Sequence, residues 1–522
     1  MNLSFVVDIP AMIVPDGTAV IGDELAVSGD ERKETYQEIR DNSARQAALF
    51  ESLGVKRGDS VGLLATNKIG TLHAFFGVLM VGATVVPMNY RARGSELSHL
   101  VSDSGISLMI TEDRYVDSIV DAGITRDRIL TLEEAKSRAA HLEPKAESAE
   151  VEDSDVAIML YTSGTTSLPK GVLLTHGGFT QYVMSQGEAA DGDFHGRVAL
   201  AAPLYHIAGL SALNVSLFSG RETYLFDFEA GKWLETVQNR KVTHAFLVPS
   251  MVSLVLRHPD FDQFDLSSLE MVTYGAAPMP PAVREAMLER FPKSISFSSA
   301  YGQTETNSTV TVLGADDHRL EGTPEEIALK RNRLTSVGKP LPDVEIRVID
   351  EEGNVASPGV AGEVYLRTGR AMTGYRGKGG GARVILDTEG WVHTGDLGYL
   401  DEDGYLFLTG RASDLIIRGG ENISPNEIEE VLERHNDVEE AVAFPVVDDH
   451  WGERVEAAVR LVQGATVTED DLIEMCKASL SGAKRPDRIH VVEDFPRTAT
   501  GKVLRRRLSA EFAPPQVADV AG

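Results

Sequence analysis

The chain has 522 residues, with 50 Lys or Arg against 79 Asp or Glu and a formal net charge of −29. That length holds about three to four domain-sized units, and with 42% hydrophobic and 25% charged residues it can bury several cores. The acidity excludes a protein whose whole surface tracks a nucleic-acid backbone or an anionic membrane. A single cysteine, Cys476, excludes an intramolecular disulfide and any multi-cysteine metal site. The N-terminal stretch has no basic segment ahead of its apolar residues and carries Asp8 early, so it does not read as a secretory signal. The longest apolar run, 74–88, is shorter than the roughly 18 residues that a membrane span needs. The expectation is a cytoplasmic protein with no nucleic-acid partner and no integral membrane association.

Taken in chain order, Thr35 and Glu38 form a capping box ahead of a helix running to Leu53, with Gly54 as its stop. A strand at 60–65, a helix over 73–81, a strand at 85–88, a helix around 95–103 and a strand at 107–111 follow. This alternation predicts βαβ units and a mostly parallel sheet. Residues 143–155 carry six acids and read as a solvated linker. A second α/β stretch is predicted from Val156 to about Ala300, with helices from Gly178 and over 208–219. From 336 to 410, short strands alternate with turn signals and predict an antiparallel β unit. After Arg411 the pattern becomes α+β, with helices at 425–434 and 469–480, and 513–522 reads as a disordered tail. The predicted boundary divides the chain into 1–411 and 412–522.

The sharpest local feature is YTSGTTSLPKG at 161–171, directly after an apolar strand. Its backbone N–H groups and hydroxyls, from Thr162, Ser163, Gly164, Thr165 and Thr166, suit a phosphate, and Lys170 adds charge. Pro169 before Lys170 and Gly171 after it set the loop apart from a Walker A motif. By composition alone, a polar turn is an equal reading.

Together with YGAAPMP (274–280), YGQTE (301–305), GWVHTGDLGYLDEDGYLFLTGR (390–411), RGGENISPNEIE (418–429) and PRTATGK (496–502), this loop resembles the adenylate-forming superfamily, acyl-CoA synthetases in particular. The six motifs stand in that family's order and span most of the chain. The resemblance implies an α/β fold with a large N-terminal domain of two doubly wound α/β subdomains and a β-barrel-like subdomain. A small, mobile α+β C-terminal domain would follow. It implies a ligase that uses ATP, Mg²⁺ and coenzyme A to convert a carboxylic acid into acyl-AMP and then acyl-CoA. Ser167 departs from the family, where a second glycine is usual.

The resemblance also implies roles. Tyr301 and Gly302 would stack adenine, although a core aromatic is the plain reading of Tyr301. Thr304 would contact the α-phosphate, and Glu305 would bind the metal. Gly275, Ala276 and Ala277 would form a flat wall, with close sheet packing as the other reading. Asp396 and Arg411 would hold the ribose. Lys502, alone a solvated lysine, would bridge carboxylate and α-phosphate during adenylation. Gly419 and Gly420 would line the pantetheine tunnel, and Trp451 would lie near the CoA nucleotide. His206, otherwise a core histidine, would gate the passage between acyl pocket and thiol tunnel. Segments 203–218 and 248–252 would line the acyl slot, which favours a fatty acid, with aryl or steroid side-chain acids as the alternative. Ser413 or Asp414 would be the hinge pivot.

A carrier-protein phosphopantetheine is the rival acceptor, whereas a peptide-synthetase adenylation domain would be followed by a carrier signature that is not seen. A non-catalytic nucleotide-binding protein would have no need of Lys170, Glu305, Asp396, Arg411 and Lys502 together. Oligomeric state, a homodimer included, is left open. Lys484–Arg507 contains eight basic residues against three acids, so positive charge gathers beside Lys502.

Overall fold

A computed structural model describes residues 1–23, 31–162, 169–377, 382–383, 386–448, 450–462, 464–497 and 503–513. The chain divides into two compact units: the first comprises Met1–Ala276, Phe291–Ile346 and Leu366–His393, and the second Ala277–Arg290, Arg347–Tyr365 and Thr394–Gly522.

The first unit is built on two large sheets. One has the strand order Lys339–Pro340, Ser308–Leu313, Ser296–Gln303, Met271–Gly275, His244–Leu247, Arg197–Leu200, Glu222–Leu225, Thr18–Asp23, Glu31–Thr35. Its centre is parallel and its two ends are antiparallel. The other has the order Ala382–Arg383, Gly374–Arg376, Lys170–Thr175, Val156–Thr162, Thr84–Pro87, Ser60–Leu64, Leu108–Thr111, Ile129–Thr131. The strands are joined by helices that bury apolar faces, which is why the predicted βαβ reading holds. The helix Tyr36–Ser52 begins with the capping box read from the sequence, Thr35 accepting from the Glu38 N–H while Glu38 accepts from the Thr35 N–H. Ile69–Val81 is buried along its whole length, consistent with its uniformly apolar sequence.

Two expectations are corrected. Gly374–Arg376, within the predicted antiparallel β unit, pairs instead with Lys170–Thr175 in the first unit. Residues 143–155 form no helix or strand, but they are not simply solvated. The Ala149 N–H donates to Met80 O at 2.8 Å, Asn2 Nδ2 donates to Ala149 O at 3.1 Å, and Arg57 pairs with Asp155 at 2.6 Å. An acidic segment with satisfied backbone groups can dock on a core.

The second unit holds most of a four-stranded sheet, ordered Glu345–Ile349, Gly362–Arg367, Val392–Leu400, Leu406–Arg411. It also holds the long hairpin Val438–Asp448 and Gly452–Leu461 with the helices Pro425–Leu432 and Glu469–Ser479. Its core includes Ile428, Leu432, Val455 and Leu472. Against it, burial and the nearby carboxylates Glu429, Glu440 and Glu430 push the Glu433 carboxyl from its ordinary 4.5 up to about 8, although the Ala441 N–H donates to it at 3.2 Å. A group whose pKa is raised on folding stabilises the fold below its unfolded pKa, and that contribution is lost as pH rises through the folded value. Glu433→Gln should therefore match the wild type near pH 4.5 and become progressively more stable towards pH 8. Thermal unfolding across that range checks it, and a constant difference would count against it. The facing Arg505 is attracted to the ionised form, which moderates the effect.

Candidate active site

The loop between Val156–Thr162 and Lys170–Thr175 is a hairpin connection, with Thr162 opposite Lys170. Ser163, Gly164, Thr165, Thr166 and Ser167 lie outside the described residues. The loop's shoulders are fixed: Tyr161 donates to Asp103 at 2.8 Å, and His99 Nε2 meets Pro169 O at 2.8 Å. Lys170 is exposed, and its ammonium lies 5.2 Å from the centre of the Tyr375 ring. Tyr375 sits on the added strand Gly374–Arg376, and its hydroxyl donates to Glu305 Oε1 at 2.8 Å. Tyr375 thus joins two residues that the sequence could only list separately. Nothing in its local sequence signals this, because the contact spans 70 positions.

Thr304 and Glu305 stand on a single 3-10 turn, Thr304–Thr306, directly after the strand Ser296–Gln303. The preceding strand has a register shift between Tyr301 and Gly302. A Cβ on Gly302 would lie 1.8 Å from Ser308 O, so this position admits only glycine. Gly275 is similarly constrained, its imagined Cβ 2.1 Å from Ala300 O. Both glycines are thus required by strand packing, whatever they face. Tyr301 is half-buried and does not belong to the fully buried core. Ala276, next to Gly275, has φ +68°, a left-handed conformation costing roughly 1–2 kcal/mol for a residue with a side chain. Ala277 opens the 277–290 segment of the second unit.

Among the described residues no group of three or more His, Cys, Asp or Glu could hold a metal ion. The carboxylate of Glu305 offers one hard oxygen ligand beside a hydroxyl-rich turn. That fits Mg²⁺, which commonly takes one or two protein carboxylates and completes its shell with phosphate oxygens and water.

His206 is the N-cap residue of the helix Ile207–Phe218, and its ring lies 5.7 Å from that of Tyr205. Burial pushes its imidazole from 6.5 down to about 4, so it is neutral at physiological pH. A small apolar cavity is lined by Phe75, Leu204, Tyr205, Leu210 and Leu213 among others. Segment 203–218 contributes to it and 248–252 does not, and no residue of YGAAPMP or YGQTE reaches it.

In the second unit, Asp396 and Arg411 lie directly opposite each other on the strands Val392–Leu400 and Leu406–Arg411. Arg411 Nε and Asp396 Oδ1 are 2.8 Å apart, so the two form an ion pair with each other. Gly419 and Gly420, φ +60° and +90°, are the two-residue turn of the hairpin Ile416–Arg418 to Glu421–Ile423. Positive φ at both centres is the tight hairpin turn that demands Gly or Asn, so these glycines have a backbone reason. The exposed Trp451 packs on Gly419, whose N–H donates to Trp451 O at 2.9 Å. Ser413 donates to Asp414 at 3.1 Å, and Asp414 lies 3.7 Å from Arg505 Nε.

Lys502 lies outside the described residues, but both shoulders of its loop are placed. Arg497 and Val503 form an antiparallel bridge, and the Leu504 N–H donates to Pro496 O at 2.8 Å. Arg497 is paired with Glu440, and Arg505 with Glu429 through Nη2–Oε2 at 3.0 Å. Two arginine–carboxylate clamps therefore hold the base of the 498–502 segment.

Residues 12–376 match the AMP-binding enzyme family, and residues 427–502 match the AMP-binding enzyme C-terminal domain. The chain belongs to the AMP-binding enzyme family. This enzyme is 34% identical to a fatty acid–acyl-carrier-protein ligase of Streptomyces coeruleorubidus, over 93% of each chain. It is 32% identical to a feruloyl-CoA synthase of an Amycolatopsis species, over 92% of this chain and 94% of the relative. Among solved structures, o-succinylbenzoate-CoA synthetase of Bacillus subtilis with its acyl-adenylate intermediate superposes with TM-score 0.80 at 28% identity, covering 97% of each chain. The AMP-binding enzyme described here is accordingly an adenylate-forming ligase of the acyl-CoA synthetase kind. No described helix is long and apolar enough to cross a membrane.

Proposed function

We infer that this enzyme activates a carboxylic acid, a fatty acid in the first place, with ATP and transfers the acyl group to coenzyme A. The reading is supported by the chain of contacts from Lys170 through Tyr375 to Glu305, which links the cation after Pro169 to the carboxylate of the Thr304 turn. In the first step a carboxylate oxygen attacks the α-phosphorus, the bond to the β-phosphate bridging oxygen breaks, and pyrophosphate leaves. Thr304 donates to the α-phosphate, and Lys170 draws the pyrophosphate oxygens. Glu305 would hold Mg²⁺, which would supply neutralisation of phosphate charge. In the second step the CoA sulfur attacks the acyl carbon, the acyl–oxygen bond breaks, AMP leaves, and the thiol proton passes to solvent.

Asp396 and Arg411 are assigned to the ribose, Tyr301 with Gly275, Ala276 and Ala277 to the adenine, and Gly419, Gly420 and Trp451 to CoA. Residues 412–522 are assigned to the mobile part that carries Lys502. His206 is read as a neutral aromatic gate. The pH profile of CoA-dependent acyl-adenylate consumption should then show no inflection near 6.5 that disappears in His206→Phe. Such an inflection would remove the gate reading in favour of acid–base work.

The likeness to a carrier-protein ligase favours one second reading, transfer to a phosphopantetheine thiol, and the likeness to a feruloyl-CoA synthase favours an aryl acid as the alternative substrate. A panel of fatty, aryl and steroid side-chain acids, each offered with CoA or with a phosphopantetheinylated carrier protein, tests the reading through acid-dependent AMP release. AMP formation with fatty acids and CoA is expected. Release of AMP only with the carrier protein, or only with aryl acids, would replace it.

A further inference from the structure

The turn bearing Thr304 and Glu305 is braced from behind by a buried arginine. Arg370 has no exposed surface and is among the largest fully buried side chains of the described residues. Its Nε donates to Asp343 Oδ2 at 2.7 Å. Nη1 donates to Thr306 O at 2.9 Å and to Asn307 O at 3.4 Å, and Nη2 donates to Thr309 O at 2.6 Å. The connection is reciprocal: Asn307 Nδ2 donates to Arg370 O, and the Met372 N–H donates to Glu305 O at 2.9 Å. The Tyr182 ring covers the guanidinium at 5.3 Å.

The backbone so held is not one the chain adopts on its own. Asn307 and Ser308 have φ +53° and +84°, a region that residues with a Cβ avoid. Such conformations persist only where the surroundings over-determine them, and they gather at functional sites. A buried cation is costly unless it is paired and its donors are satisfied, and here the acceptors are the Asp343 carboxylate and three carbonyls within residues 306–309. The planar five-donor fork of arginine can serve three carbonyls and a carboxylate at once, whereas a lysine ammonium is a point charge with three donors.

We propose that Arg370 is a positioning residue for adenylation: anchored by Asp343, it fixes the backbone of residues 304–309 so that the Thr304 hydroxyl and the Glu305 carboxylate are presented in one geometry. This rests on the reading of Thr304 and Glu305 as phosphate and metal partners. Arg370 touches no reacting atom. It acts through the turn, while Tyr375, five residues further along the chain, donates its hydroxyl to the Glu305 carboxylate.

The test compares full-length Arg370→Lys, Asp343→Asn and Glu305→Gln with the wild type. Three quantities are measured: hydrogen–deuterium exchange of amides 303–309 without nucleotide, the kcat and Mg²⁺ dependence of acid-dependent pyrophosphate exchange, and CoA-dependent consumption of pre-made acyl-adenylate. Arg370→Lys should exchange those amides faster and lose on the order of a hundredfold in kcat of pyrophosphate exchange, as expected for a displaced positioning group. Its Mg²⁺ half-saturation should rise, while acyl-adenylate consumption stays within about twofold. Asp343→Asn should show the same pattern more weakly, and it decides the question if Arg370→Lys does not fold. Unchanged amide exchange and Mg²⁺ dependence in Arg370→Lys or Asp343→Asn, or equal loss of both half-reactions, overturns the proposal. If Glu305→Gln loses adenylation while the other two do not, the brace fails and the reading of the turn stands. If Glu305→Gln keeps wild-type Mg²⁺ dependence, the reading of the turn fails and the brace with it.

Discussion

Lys502→Ala should lower acid-dependent pyrophosphate exchange by about 10²–10³-fold, the usual effect of removing one preorganised donor from a charged transition state. Attack of a carboxylate on an α-phosphate brings two anions together, and a cation between them offsets the repulsion where water is excluded. Arg497, paired with Glu440, and Arg505, paired with Glu429, stand on either side of residues 498–502. The same variant should consume pre-made acyl-adenylate with CoA at nearly the wild-type rate, because that step separates an anion from a neutral acyl carbon. The two half-reactions, assayed separately, provide the check. Equal losses in both would show that Lys502 serves the fold or the nucleotide generally and not the attack step.

Gly302→Ala should be the most damaging single-methyl change in the first unit. The added carbon would sit 1.8 Å from Ser308 O, and that carbonyl belongs to the neighbouring strand backbone, which cannot rotate aside. Relief requires separating Ser296–Gln303 from Ser308–Leu313 at the register shift, and overpacking of this kind costs typically about 1–3 kcal/mol and more where backbone must move. Thr304 and Glu305 follow within three residues, so adenylation should fail even in whatever fraction of the protein remains folded. Chemical denaturation and pyrophosphate exchange on the same sample would separate the two effects. Wild-type stability with full activity would show that the strand pair is more compliant than its geometry implies.

Much of the fold was legible because its signals are local. The capping box at Thr35 and Glu38, the apolar helix ending at Gly82 and the alternation of strands with helices each lie within one short window, and each has the structure expected. The tight hairpin at Gly419 and Gly420 was not among the readings of the sequence, which assigned both glycines to the pantetheine tunnel; their positive φ angles supply a backbone reason as well. Less legible was the assignment of Gly374–Arg376. Its three residues look like part of an antiparallel run, and only pairing with Lys170–Thr175 shows which sheet completes them. The acidic segment 143–155 misled for a related reason: charge reports on side chains, whereas docking was decided by backbone groups such as the Ala149 N–H.

The candidate site divides along the same line. Lys170, Thr304, Glu305, Asp396 and Arg411 were candidates because they lie in short motifs that resemble the family's, and their proposed roles come from that resemblance. By itself, the sequence determined the family and the α/β class and supplied the candidate residues of the proposed site, because these depend on contiguous residues and their order. Only the tertiary structure decided how those residues are held: Asp396 against Arg411, Tyr375 between Lys170 and Glu305, and Arg370 with Asp343 beneath the Thr304 turn. Such contacts join positions far apart in the chain, and their strength comes from burial and from donors meeting acceptors in one geometry. Neither is a property of any window of sequence.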